Sequence, residues 1–434
     1  MMKSVVFLCL GFLALNALNA QTIKVYFNQS VDNTVSSIAD AQTSAHLDDT
    51  ICALINSSNT TLDIAVWDNG SAKIVTALNN AYLRGVQVRY ISSTNSLNTA
   101  LSGLHSNIPL LKRTSTLTSN VMHNKFVIAD NAKLLIGSMN FGNGSMFDDF
   151  NNIVIISNSN LAQNYTTEFN EMWGSSGAQP NTTTSKFGPA KSDNTIHSFN
   201  IGGSTVESYF SPTDGTASKI VNAINSANYS LDVAMFTFTD NDLGDAVVAA
   251  KNRGVNVRCI IENVSYFGSE YNKLIAAGIP VISHETTTYD FHHKYCIVDA
   301  TNSTSDPLVV TGSHNWSNSA ENEYDENTLI IHDAIVANQY LEEFSKRHSV
   351  LSGLNDYAST NSGVVLFPNP SSGSFSITGL KHPIDKLTVI NGVGQIIETI
   401  EKASNNIHLQ LEKGMYYISL ISGGEVINKK INIE

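Results

Sequence analysis

The chain has 434 residues and a formal net charge of −13, from 25 Lys+Arg against 38 Asp+Glu. That length allows two or three domains, and 42% hydrophobic residues exclude wholesale disorder. The acidic balance argues against general binding of phosphate backbones, which normally shows as a basic footprint, although a local basic groove is compatible with it.

Met1-Met2-Lys3 leads into an apolar run through Leu15 and small residues near Ala20. This predicts a secretory signal peptide over residues 1–20. Leu18 is not small, so the cleavage site itself stays open. Asn16 and Asn19 interrupt the run, which is short for a membrane span. Cys52, Cys259 and Cys296 remain after the signal, an odd number with no zinc spacing. They read as buried thiols, with a Cys259–Cys296 disulfide as the alternative in an oxidising compartment.

The chain then repeats itself. Thr61-Leu62-Asp63-Ile64-Ala65-Val66-Trp67 returns as Ser230-Leu231-Asp232-Val233-Ala234-Met235-Phe236. Arg84-Gly85-Val86 returns as Arg253-Gly254-Val255, and His123-Asn124-Lys125 as His292-His293-Lys294, all at one constant offset. Gly137-Ser138-Met139-Asn140 and Gly312-Ser313-His314-Asn315 follow, after a short polar insertion in 300–307. Each copy alternates apolar strands with helical segments (Ala72–Leu83, Leu243–Asn252), which predicts an α/β fold of two similar α/β/α sandwich halves. The halves are placed at 21–185 and 186–350, joined through the Gly/Ser/Thr/Asn-rich stretch 174–203. A polar linker at 351–362 precedes 363–434, whose short alternating strands and Ser-Gly, Asn391-Gly392 and Gly423-Gly424 turns predict a small C-terminal β-sandwich.

The polar residues of the repeat carry the chemistry. On strands expected over Val121–Asp130 and Phe291–Asp299, alternation turns His123 and Lys125 to one face, and His292 and Lys294 likewise. His293 points away and reads as a packed or solvated residue. Asp130 and Asp299 stand seven residues beyond their histidines, an odd spacing that reads as structural. The lysines supply fixed positive charge where a phosphodiester gathers negative charge. Asn140, Asn315, Ser138 and Ser313 can donate to the same oxygens. One histidine can attack phosphorus while the other protonates the leaving alkoxide and then activates water. No ligand set stands at metal spacing, so neither a metal nor another cofactor is expected.

H-x-K-x4-D followed by G-S-x-N in each half resembles the phospholipase D superfamily, over roughly residues 25–350. The resemblance implies two α/β/α halves about a pseudo-two-fold axis, one shared cleft and metal-independent cleavage of phosphodiesters. In that family an acidic residue orients the motif histidine. Glu326 stands at that place in the second half, and Asn151 at the equivalent place in the first. A carboxylate beside an imidazole raises its pKa, so the spacing assigns Glu326 to His292 as a protonated general acid. It leaves His123 as the nucleophile, with Asp148 or Asp149 able to stand in for the missing carboxylate. Val364–Gly373, Leu387–Gln395, Gly414–Leu420 and Lys429-Lys430 resemble the type IX secretion sorting domain of Bacteroidetes. This implies a partner in the type IX secretion machinery and a secreted or cell-surface location. The expected activity is hydrolysis of phospholipid head groups by a monomer, with a metal-independent nuclease of the same superfamily as the alternative. An alcohol in place of water would make the enzyme a transferase. Trp67 and Phe236, at equivalent strand ends, are candidates for an apolar entrance.

Overall fold

A computed structural model describes residues 23–36, 38–115, 119–285, 288–351, 364–391, 396–423 and 425–433. The expected signal peptide and all but the first residue of the 351–362 linker lie outside these residues. Two mixed eight-stranded sheets form the body of the chain. In the first, the strands lie in the order Gln42–Thr43, Ile23–Phe27, Asn152–Ser157, Lys133–Gly137, Lys125–Ala129, Thr61–Val66, Gln87–Ser93 and Leu110–Arg113. The second sheet repeats this with Ser204–Ser211, Glu326–His332, Leu308–Gly312, Lys294–Val298, Ser230–Met235, Asn256–Ile261 and Val281–Ser283 in equivalent places. Each lysine motif therefore opens a central strand, antiparallel to both neighbours.

Local chemistry fixes the helices. Ser71 accepts from the Ile74 N–H to start the helix Ala72–Leu83. Asp240 does the same from Leu243 for Asn241–Asn252. Asp63 and Asp232, repeated on the first strand of each motif, form buried or half-buried ion pairs with Arg89 and Arg258 on the parallel neighbour. Each guanidinium also lies over an aromatic ring of the half's last helix, Phe169 in Ser159–Trp173 and Phe344 in Ala334–Leu351. Asp130 and Asp299 take left-handed backbone conformations and collect the N–H groups of residues 59–61 and 228–230. Burial alone would raise these carboxyls, but the N–H donors, joined at Asp299 by the Ser305 hydroxyl, outweigh it and hold both below the ordinary value.

One apolar core joins the halves. It takes Phe126, Tyr165 and Trp173 from the first and Phe210, Tyr295 and Tyr340 from the second. Two further cores lie on the outer faces of the sheets. The stretch 174–203, expected as a connector, is built into this junction. Lys191 is fully buried, 2.5 Å from Glu168 and 3.2 Å from Asp325, and Arg113 bonds Asp325 at 2.7 Å. Leaving any of these charges unpaired in such surroundings costs several kcal/mol, roughly 3–5.

Cys259 and Cys296 are not joined. Both are buried thiols that pair with opposite sides of Val233 across three adjacent strands. Two strand spacings, about 10 Å, exceed what a disulfide can bridge. The C-terminal region is a three-stranded and a four-stranded sheet around a separate core of Leu366, Phe375, Leu387, Val389, Ile418 and Leu420. No helix among the described residues is long and apolar enough to cross a membrane.

Candidate active site

The motif strands begin later than alternation suggests, at Lys125 and Lys294. Each histidine therefore precedes its ladder and is held by the opposite half. His123 N–H donates to the Asp325 carbonyl (2.9 Å), and Asp325 N–H to the Val121 carbonyl (3.0 Å). On the other side Phe150 N–H donates to the Asp290 carbonyl (2.8 Å). These crossed contacts bring both histidines to one cavity of about 910 Å³, lined also by Asn140, Asn315, Trp67 and Phe236.

The lysines lie beneath that lining and are almost fully buried. Lys125 Nζ donates to the His123 carbonyl (2.6 Å) and Lys294 Nζ to the His292 carbonyl (2.8 Å). Trp67 and Phe236 act as matching shelves, with Lys125 and His123 against one and Lys294 and His292 against the other. Burial lowers Lys125 to about 7 despite Glu326 and Asp68, and burial with the nearby Lys125 charge drives Lys294 far down. Burial thus works against both lysine charges, and a bound anion would favour them.

The histidine braces correct the sequence expectation. Glu326 does not orient His292. Its Oε1 lies 2.7 Å from His123 Nδ1, across the junction. His292 Nδ1 instead meets Asn151 Oδ1 at 3.0 Å. Spacing within one half could not reveal this, because the brace comes from the other half. Neither Asp148 nor Asp149 replaces the carboxylate; Asp149 accepts from the Asp290 N–H (3.1 Å). Burial, followed by the charges of both lysines, holds both imidazoles well below their ordinary value, and burial raises Glu326 to about 8.

Ser138 and Ser313, expected to touch substrate, are fully buried and absent from the cavity lining. The strands end at Gly137 and Gly312, so the hydroxyls take over the next N–H groups, those of Asn152 and Asn327. Ser138 Oγ also donates to Asn151 Oδ1 (2.8 Å), which supports His292 at one remove. Asn140 and Asn315 do reach the cavity, and the Oδ1 of each is buried without a partner among the described residues. His293 is packed between Asn152 and Glu343. Two residues with no sequence signal stand out in the lining, Asp68 and Asp290. Among the described residues, the carboxylate–histidine groups able to hold an ion are His46–Asp48–Asp49 and Asp193–His197–Asp214, both outside the cavity.

The family model described as "Cardiolipin synthase, PLD-like domain" matches residues 51–173 and 220–348, more than half of the chain. The chain belongs to the phospholipase D superfamily. It is 32% identical over 139 residues to a mitochondrial cardiolipin hydrolase of Chlamydomonas reinhardtii, and 35% over 136 residues to that of Xenopus tropicalis. The matches span 32% and 31% of this chain, and 59% and 61% of those relatives. The phosphatidylserine synthase of Haemophilus influenzae shares the fold, with TM-score 0.53 and 13% identity over 71% of this chain and 85% of that one. Residues 365–434 match the model of a secretion system C-terminal sorting domain. This member of the superfamily therefore carries a type IX sorting domain, which directs it to the cell surface or medium.

Proposed function

We propose that the protein hydrolyses phospholipid head groups through a covalent phosphohistidine. The observation that carries this reading is the convergence of two braced histidines and two buried lysines on one cavity with an apolar mouth. Leu97, Tyr266 and Phe267 line that mouth and are exposed, Phe267 entirely so at 104%. Leu97 and Tyr266 occupy equivalent places in the two halves, so apolar tips flank the cavity on both sides. A polyanion would instead meet carboxylates there, which disfavours nucleic acid.

In the first step the lone pair of His123 Nε2 forms a bond to phosphorus. The phosphorus–oxygen bond to the head group breaks, and the oxygen takes the Nε2 proton of His292. In the second step His292 removes a proton from water, whose oxygen forms a bond to phosphorus as the phosphorus–nitrogen bond breaks. Lys125, Lys294, Asn140 and Asn315 stabilise the charge on the non-bridging oxygens. Positive charge grows on the imidazole that attacks, which is where the carboxylate of Glu326 helps. The amide of Asn151 accepts the Nδ1 proton of His292 without stabilising its cation, which leaves it the stronger acid. The assignment of His123 as nucleophile thus rests on the reverse of the pairing expected from spacing.

The deciding experiment compares phosphatidylcholine, cardiolipin and single-stranded DNA in the presence of EDTA. Turnover of phospholipid is expected. Cleavage of DNA with no lipid turnover would replace this reading with a nuclease, and activity restored only by added metal would refute the mechanism.

A further inference from the structure

Each motif meets the opposite half in a short, matched register. Met122 bridges Asp325 in parallel fashion. The next two residues continue that pairing, His123 against Glu326 and Asn124 against Asn327, each with a partner 203 positions away. In the second contact His292 faces Asn151 and His293 faces Asn152, each pair 141 positions apart. Successive side chains on an extended segment point to opposite sides. Each motif therefore grips the other half twice, through its histidine on the cavity side and through its middle residue on the packed side.

The second grip has its own hydrogen bonds. Asn327 Nδ2 donates to Asn124 Oδ1 (3.0 Å), and Asn152 Nδ2 donates to His293 Nδ1 (3.0 Å). All four residues are buried, and none lines the cavity. Asn327 directly follows the brace Glu326, and Asn152 directly follows the brace Asn151. Asn152 Oδ1 accepts from the hydroxyls of Tyr340 (2.9 Å) and Thr311 (3.2 Å), which turns its Nδ2 towards His293. The backbone of each middle residue also holds its own half's aromatic shelf. The Asn124 carbonyl accepts from Trp67 N–H (3.1 Å), and the His293 carbonyl from Phe236 N–H (2.8 Å). A slip of one residue would turn each brace away from its histidine and strand a buried amide, so the two grips enforce each other.

We propose that Asn124 and His293, the middle residues of the two His-x-Lys motifs, are positioning residues that fix the register in which the opposite half presents its brace to the neighbouring histidine. The proposal rests on the two-histidine mechanism above and adds what holds its geometry. The requirement is an acceptor for an amide N–H, which an amide oxygen meets in one half and a ring nitrogen in the other. Without it the brace strand can shift and the imidazole can turn. A misplacement of about 1 Å in such a site costs up to about a hundredfold in rate. His293 serves the Asn151–His292 pair, and so the proton delivered to the leaving oxygen. Asn124 serves the Glu326–His123 pair, and so the attack on phosphorus.

The test uses the full chain and two substitutions that separate the ring nitrogens of His293. His293→Asn keeps an acceptor at the place of Nδ1, as Asn124 does, and gives up the approach of Nε2 to Glu343 (3.2 Å). His293→Gln keeps a polar group near the place of Nε2 and gives up the Nδ1 acceptor. With phosphatidylcholine, His293→Asn should stay within about threefold of the unaltered kcat, and His293→Gln should lose roughly tenfold or more with KM unchanged. A phosphodiester that releases 4-nitrophenol needs no proton on its leaving group, so its first turnover should be nearly the same in both variants. A packing role would follow Glu343 and favour Gln, or would slow the two substrates alike; either result would overturn the proposal. Asn124→Leu, close to Asn in shape, tests the first half without breaking an ion pair. It should slow both substrates by roughly tenfold or more, because each is attacked by His123, and an unchanged rate would overturn the proposal as well. Absence of phospholipid turnover in the unaltered protein would remove the lipid reading alone. The same comparison on single-stranded DNA, whose leaving alkoxide also needs a proton, would then decide the role of the middle residues.

Discussion

Glu326 offers a carboxylate where Asn151 offers an amide, and in the proposed mechanism that difference sets the division of labour between the two histidines. Glu326→Gln keeps an acceptor for His123 Nδ1 but removes the negative charge, and should lower kcat roughly a hundredfold or more. Acid quenching of the enzyme during turnover, followed by mass spectrometry, should locate the phosphoryl group on His123. A label confined to His292 would reverse the roles. Asn151→Asp should stabilise the His292 cation and move the alkaline limb of kcat to higher pH. The lysines set a second pH signature. Lys125, lowered by burial to about 7, loses its charge as pH rises through that value. For phosphatidylcholine, kcat/KM should therefore fall above about pH 7. A flat profile from about pH 6 to 9, a window that brackets this value, would contradict this environment.

The Gly-Ser-x-Asn elements show how a motif serves backbone geometry as well as chemistry. A Cβ on Gly137 or Gly312 would lie 2.2 Å from the carbonyl oxygen of Asn152 or Asn327, each the residue next to a histidine brace. Gly312 also has a φ of +147°. Gly312→Ala should cost about 3 kcal/mol, lowering Tm by roughly 6–12 °C. Gly144→Ala, where an added Cβ meets nothing within 4 Å, should barely move it. The loop that carries Tyr266 and Phe267 is a different kind of element, with no burial to explain its composition. Inserting a phenylalanine side chain into a lipid surface contributes about 1.5–3 kcal/mol. Phe267→Ser should therefore weaken turnover of vesicles roughly tenfold or more while sparing a short-chain soluble phospholipid. Equal effects on both substrates would assign the loop to the cavity and not to the interface.

At the scale of the whole molecule, the proposed mechanism depends on the two halves facing each other. Each histidine is braced from the opposite half, and a single apolar core contains residues of both. A chain ending near residue 185 lacks Glu326 for His123, and one starting near residue 195 lacks Asn151 for His292. Each should be inert alone, and so should their mixture, which lacks Lys191 between Glu168 and Asp325. Full activity in one half shown to be monomeric would refute the shared site. Lys191, buried between Glu168 and Asp325, shows that the connector also belongs to this arrangement. A generic Gly/Ser linker there would leave those carboxylates unpaired.

His123, Lys125, His292 and Lys294 were legible in the sequence because a duplicated polar pattern on apolar strands has no explanation in packing alone. The paired helices and the repeated Asp63–Arg89 and Asp232–Arg258 positions were legible for the same reason, since hydrophobic period and repeat offset are properties of the chain taken locally. The C-terminal sorting domain carried its own local motifs. The bracing of each histidine by the other half and the burial of Ser138 and Ser313 behind the cavity were decided by tertiary structure. Residues 203 positions apart meet at His123 and Glu326, and one-dimensional spacing cannot say which face of one half will oppose which face of the other. Close packing about the shared core settles that choice, and with it which carboxylate serves which imidazole.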